Sequence, residues 1–252
     1  MKVRKALRFL FGIYGSLMFF LVLTIAAPAC IISFAIWKEK AEKPMLWFCY
    51  KICCKFLLFS MGIRLKTHGL ENIEIDRAAI LVSNHQSSID IPVNAVSYPY
   101  AFKFLGKKEA AKLPLFGFVI NRICVLIDRK DKNSRKESYE LLKKNLQKGI
   151  SVLLYPEGTR NRTEHALTPF YDGAFRLSVE QKAPIYIQTI IGSRILSSPF
   201  SWFDLSPGTL HCYWDKVEPS AAYTLENLEE YKDEVKEIML SHLNSHGKGF
   251  GW

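Results

Sequence analysis

The chain has 252 residues and carries 34 Lys and Arg against 24 Asp and Glu, which gives a formal net charge of +10 and a pI near 9.3. Its 49% hydrophobic content, with 11 Pro and 14 Gly, excludes a disordered or collagen-like chain, and its length is that of one large domain or two small ones. The charge is unevenly placed: residues 1–70 hold 11 basic and 2 acidic side chains, and the rest of the chain holds 23 and 22. A nearly neutral remainder argues against a nucleic-acid partner, whose backbone would call for a basic face.

Phe9 to Trp37 is a run of 29 uncharged residues. About 20 apolar residues cross a bilayer core, and the apolar part of a cleaved signal peptide is only about 7–15 residues long. This segment therefore belongs in lipid. Pro28 lacks an amide hydrogen and is expected to kink or break the helix. Lys2, Arg4, Lys5 and Arg8 should stay on the cytoplasmic side. In a second apolar stretch, Met45 to Met61, Lys51 and Lys55 stand one helical turn apart among Trp47, Phe48, Tyr50, Phe56 and Phe59. That pattern fits an interfacial helix whose lysines reach toward anionic headgroups, or else a helix packed on a globular domain. Residues 1–62 thus read as a membrane-associated helical pair, which either spans the bilayer or enters one leaflet and returns. The six cysteines form no C-x-x-C pair and read as buried apolar residues in a reducing compartment. Asn161-Arg162-Thr163 matches a glycosylation acceptor by accident.

From Gly62 onward, short apolar runs alternate with amphipathic stretches, the pattern of an α/β domain with a mixed, largely parallel central sheet. Strands are expected at 78–82, 102–105, 123–127, 150–155, 185–191 and 210–214. A helix is expected at 135–148, with Ser134 and Glu137 as a capping box and Gly149 beyond its end. An acidic helix is expected at 225–243. No repeat or linker divides residues 63–252, which read as one domain.

Two polar motifs stand at predicted strand ends. In Asn84-His85-Gln86-Ser87-Ser88-Ile89-Asp90, the five-residue spacing places His85 and Asp90 about 140° apart on a regular helix. They meet only if the chain turns between them, and Asp90 then fixes one imidazole nitrogen and frees the other as a base. A hydrogen-bonded loop histidine has the same spacing. In Tyr155-Pro156-Glu157-Gly158-Thr159-Arg160, a Pro-Glu-Gly turn projects Glu157 and Arg160 together, and Arg160 suits a bidentate grip on phosphate. Residues 103–144 hold twelve basic and five acidic side chains; of these, Arg129 and Lys107 lie at strand ends, where α/β sheets place ligands.

NHQSSID at 84–90, LIDRK at 126–130, YPEGTR at 155–160 and APIYIQTI at 183–190 resemble, in order and spacing, the four motifs of the glycerolipid acyltransferases. The bacterial 1-acyl-sn-glycerol-3-phosphate acyltransferases are the nearest likeness. The resemblance implies that His85 is the general base of an HX4D motif, oriented by Asp90, and that transfer proceeds without an acyl-enzyme. It further implies substrate binding by Asn84, Lys107, Arg129, Glu157, Gly158, Thr159 and Arg160, with Arg160 on the phosphate. The partners so implied are a lysophospholipid acceptor, an acyl-CoA or acyl-acyl carrier protein donor, and a membrane bilayer, with the catalytic domain on the cytoplasmic face of a bacterial inner membrane. No metal, other cofactor or nucleic acid is expected. Gln188-Thr189 and Tyr155 depart from the usual pattern, which has an apolar run and Phe at those places. A non-catalytic anionic-lipid-binding protein, a hydrolase and an acyltransferase for another lysophospholipid are the competing readings; the first does not explain two polar motifs at strand ends, and the second lacks G-x-S-x-G.

Overall fold

The computed structural model describes residues 2–74, 77–112, 116–219 and 223–246. The chain opens with α1 (Lys2–Trp37), then a 3-10 turn, α2 (Glu42–Trp47), a π-helical stretch over Phe48–Cys54, and α3 (Lys55–Ser60). The α/β part follows in the order β1 (Ile63–His68), β2 (Ile80–Ser83), α4 (Asp90–Ser97), β3 (Phe102–Lys107), α5 (Phe116–Ile123), β4 (Cys124–Ile127), α6 (Lys132–Gln147), β5 (Ser151–Leu154), α7 (Gly173–Gln181), β6 (Ile185–Ile191), α8 (Ser193–Leu196), β7 (Gly208–Val217) and α9 (Leu228–His246).

The seven strands form one sheet in the order β1-β7-β6-β2-β5-β3-β4. All neighbours are parallel except β6 and β7. β2, β5 and β6 are buried at every position, as central strands covered on both faces must be. Alternate residues serve opposite layers: Ile80 and Val82 join the cluster with α6, α7 and α9, and Ala79 and Leu81 join the one with α1, α2, α4 and α5. The strand at Ile63–His68 is not among the expected ones, because Arg64, Lys66 and His68 interrupt its apolar residues. That alternation is the signature of an edge strand with one wet face.

Three local expectations are corrected. α1 continues through Pro28 without a break. The missing bond is the one to the carbonyl of Thr24, which sits on the exposed side of the helix. α6 starts three residues earlier than expected: Asp131 is its N-cap, accepting from Asn133 N, while the Ser134 hydroxyl accepts from Asp128 N at the end of β4. Lys51 does not reach for lipid. Its ammonium donates to the carbonyls of Ala95, Val96 and Tyr98 at the C-terminal end of α4, where a cation also meets the negative end of the helix dipole. Lys55 is exposed.

The inner faces of the first helices belong to the sheet's core. Leu23, Ala27, Cys30, Leu46, Cys49 and Tyr50 share one apolar cluster with Phe102, Phe104 and Trp214. Tyr50 is buried, packs 4.8 Å from the Phe102 ring and donates its hydroxyl to Phe102 O at 2.9 Å. α1 is inverted relative to a helix of a soluble core: its buried residues are Gly12, Gly15, Leu23, Ala26, Ala27 and Cys30, mostly small. Its exposed ones include Leu17, Phe20, Ile25, Ile32, Ile36 and Trp37. Small residues inward permit close packing, and large apolar residues outward call for an apolar surround. Residues 2–60 are, among the described residues, the one helical stretch long and apolar enough to cross a membrane.

Candidate active site

The sheet's topology gathers the motifs at one edge. β2, β5, β3 and β4 are parallel neighbours, so the residues that follow them emerge side by side at the carboxyl ends of the strands, where open α/β sheets bind ligands. His85 follows β2, Glu157 follows β5, Lys107 ends β3 and Arg129 follows β4.

After β2 the chain turns through residues 86–89 and enters α4 at Asp90. The turn brings His85 Nδ1 to 3.0 Å from Asp90 Oδ2. That oxygen also accepts the backbone N–H groups of Gln86 and Ser87 at 2.7 Å each. Asp90 is completely buried, and the three donors fix its carboxylate before any substrate arrives. With Nδ1–H given to Asp90, Nε2 is left as the acceptor. Among the described residues nothing bonds to it, while the His85 side chain keeps 13% exposure. A base with its far nitrogen open and its near nitrogen held is able to take a proton from a hydroxyl brought to it.

The two polar motifs are one physical unit. Glu157 Oε1 accepts His85 N at 2.9 Å, and Asn161 N donates to His85 O at 2.7 Å, so the loop after β5 clamps the histidine backbone on both sides. The other Glu157 oxygen accepts from the amide and hydroxyl of Thr168, both at 2.9 Å. Burial raises the Glu157 pKa, against the opposing effect of these hydrogen bonds and of His85. The Tyr155 ring stacks on the His85 imidazole with 3.9 Å between centroids. At Gly158, φ is +72° and an added Cβ would lie 2.6 Å from the Tyr171 ring, so the turn admits no side chain there.

Two residues of the expected substrate-binding set have structural partners. Asn84 is fully buried, and its amide is paired with both Ile190 backbone groups, donating to O and accepting from N. It ties β2 to β6. Glu157 is 3% exposed with both oxygens engaged, and it supports the His85 loop. Thr159 is exposed and Arg160 half-buried. Burial lowers the Arg160 pKa, Arg162 adds to this, and Asp90 opposes it, which places the guanidinium within electrostatic reach of the dyad. Arg129 is exposed by its accessible surface, yet desolvation lowers its pKa, with Tyr171 and Glu109 opposing. Lys107 is 69% exposed and pairs with Glu109 at 3.4 Å. Among the described residues, no group of three or more His, Cys, Asp and Glu is placed to hold a metal.

Sequence reasoning passed over Thr168, Asn161 and Asn94. Asn161 is buried, with Nδ2 donating to the His165 and Ala166 carbonyls and Oδ1 accepting from Thr163. The Asn-x-Thr triplet is a structural turn, which was the available signal.

The acyltransferase family model matches residues 64–191, half of the chain, and the chain belongs to that family. A 1-acyl-sn-glycerol-3-phosphate acyltransferase of Saccharomyces cerevisiae is 27% identical over 207 residues, covering 80% of this chain and 67% of that protein. A chloroplastic 1-acyl-sn-glycerol-3-phosphate acyltransferase of Brassica napus is 32% identical over 127 residues, or 50% of this chain and 36% of that one. The chain thus spans about a third of the plant relative's length. The crystal structure of the 1-acyl-sn-glycerophosphate acyltransferase PlsC from Thermotoga maritima superposes with a TM-score of 0.76 at 24% identity, over 97% of this chain and 98% of that one. It has the same fold.

Proposed function

We propose that the chain transfers a fatty acyl group from an acyl thioester to the sn-2 hydroxyl of 1-acyl-sn-glycerol 3-phosphate, giving phosphatidic acid. The observation that carries this reading is the held imidazole with an open Nε2: His85 bonded to buried Asp90, in an acyltransferase chain, beside Arg160. His85 Nε2 takes the hydroxyl proton as the oxygen attacks the thioester carbonyl. The tetrahedral intermediate collapses with cleavage of the C–S bond, and the imidazolium returns its proton to the departing thiolate. Asp90 stabilises the imidazolium while it exists. No nucleophile of the protein is acylated and the chemistry calls for no cofactor beyond the donor, which is carried on CoA or on acyl carrier protein. Arg160, with Arg129 and Lys107 on the same edge of the sheet, holds the acceptor phosphate; Gly158 and Thr159 line the turn beside it.

The acceptor keeps its tail in a bilayer, and the apolar outer face of α1 supports membrane association. The basic start of the chain favours the cytoplasmic face, as in a bacterial inner membrane. Transfer is to be measured with purified protein, acyl-CoA and acyl-acyl carrier protein as donors, and lysophosphatidic acid and lysophosphatidylcholine as acceptors. We expect His85→Ala to lose about 10²- to 10⁴-fold in rate. Unchanged transfer in that variant would overturn the mechanism, and release of free fatty acid without acceptor would mark a hydrolase. For the phosphate, Arg160→Ala should raise the acceptor KM more than the donor KM.

A further inference from the structure

The segment joining β6 to β7 carries an aromatic group that the reaction does not use. Phe200 and Trp202 are 66% and 62% exposed, and Phe203 is 44% exposed. This is no loose end. Arg8 of α1 binds Asp204, Ser206 and the carbonyls of Ile195 and Leu196. The Phe9 and Phe203 rings lie 5.8 Å apart. Gly12 approaches the Phe203 backbone so closely that a Cβ would sit 2.2 Å from its carbonyl oxygen. The segment and the first turns of α1 therefore form one rigid surface, on which exposed Val3, Leu7, Phe9 and Leu10 continue the apolar area. Arg8, placed by the sequence among the free basic residues, is spent on this joint, and it neutralises Asp204, the one acid of residues 197–207. Lys2, Arg4 and Lys5, in the same first turns of α1, remain exposed, as does Arg162, whose charge acts on Arg160. Apolar rings within a basic surround match the order of layers in an anionic bilayer surface, with acyl chains below phosphates.

We infer that this aromatic segment is a second membrane contact: Phe200, Trp202 and Phe203 enter an anionic phospholipid leaflet alongside α1. The contact is wired to the site, because the Arg160 guanidinium stands 5.8 Å from the centroid of the Trp202 ring. Seating the indole among the acyl chains holds Arg160 at the depth of the headgroup phosphates, where an acceptor phosphate also lies. This last step rests on the proposed acceptor, whereas insertion of the segment does not.

Insertion is tested on the full chain reconstituted in phosphatidylcholine–phosphatidylglycerol vesicles containing lipids brominated on the acyl chain. We expect Trp202→Phe to remove part of the bromine-quenched tryptophan emission; equal quenching in the variant and the parent protein overturns the inference. In a second arm, Phe200→Ser should lower turnover of vesicle-borne acceptor by about tenfold or more, the weight of one buried aromatic side chain. It should leave turnover of a short-chain acceptor dissolved as monomers unchanged, and Phe200→Trp should restore the vesicle rate. Equal effects on both acceptors would overturn the inference. So would conversion of a dimer to a monomer by Phe200→Ser in detergent sedimentation, which would assign the patch to a second copy. Absence of any acylation by the parent protein would refute the proposed function and leave the quenching result to decide the membrane contact by itself.

Discussion

The Tyr155 ring lies nearly flat on the His85 imidazole, 14° from parallel, and its hydroxyl donates to Asn94 Oδ1 at 2.6 Å. The Asn94 amide in turn donates to Gln188, and the Gln188 amide to Ser97. Asp90 and Asn94 stand four residues apart on one face of α4. That helix thus holds the imidazole at its edge through Asp90 and across its face through Asn94 and Tyr155. Tyr155 and Gln188, which both belong to the departures from the family pattern, are thus members of one hydrogen-bond chain. Tyr155→Phe keeps the ring and strands a buried Asn94 oxygen, so thermal unfolding should show a loss of about 1–3 kcal/mol with kcat little changed. Tyr155→Ala removes the stack as well, and kcat should fall about 10²-fold, as for other misplaced reacting groups. Greater damage to kcat from Phe than from Ala would contradict this account.

Asp90→Asn should be more damaging to rate than to fold. The amide cannot accept as strongly from Nδ1, Gln86 N and Ser87 N, and it does not stabilise an imidazolium. Steady-state kinetics should show a fall of about 10²- to 10⁴-fold in kcat/KM, the range of a lost general base. Far-UV circular dichroism should be unaltered. Retention of more than a tenth of the activity would remove Asp90 from the mechanism.

Glu157→Gln tests the clamp. One carboxylate oxygen becomes an NH₂ group that faces an N–H donor, so a buried donor loses its partner at a cost of about 1–3 kcal/mol in urea unfolding. The rate should fall too, because the His85 backbone is released. The pH dependence has a definite sign. Burial raises the folded-state pKa of Glu157. Between the ordinary carboxylate range and that raised value, the native state holds a proton that the unfolded chain has released. The contribution of this group to stability therefore declines as pH rises through the folded pKa. Unfolding measured from about pH 4 to pH 8 should show that decline in the parent protein and its absence in Glu157→Gln.

Much of the site was legible because it is written in contiguous residues: a turn between His85 and Asp90, and a Pro-Glu-Gly bend that presents Arg160. The strands with buried apolar runs were equally plain. The edge strand at Ile63–His68 was not, since half its residues are charged or wet. Roles set by distant partners were also hidden. Asn84 and Glu157 look like ligands in a motif, and only the fold shows their polar atoms consumed by Ile190, His85 and Thr168. Lys51 misled for the same reason: an isolated lysine among aromatics reads as interfacial until α4 supplies three carbonyls.

Lys51→Met should consequently act on the site from a distance. It leaves the last carbonyls of α4 without their donor, and α4 carries Asp90 and Asn94. We expect a stability loss of about 1–3 kcal/mol, with a lower kcat and an unaltered acceptor KM. An effect confined to vesicle binding would return Lys51 to the lipid surface.

The small-residue inner face of α1 and the buried ring of Tyr50 mean that the first sixty residues pack into the core of the α/β part. Cutting the chain before Gly62 would take Leu23, Ala27, Cys30, Leu46, Cys49 and Tyr50 out of this cluster and leave Phe102, Phe104 and Trp214 partly uncovered beside Ala95, Tyr98 and Val119. Such a fragment would present that apolar face to water. Proteolysis in that segment is therefore expected to destabilise the part it releases.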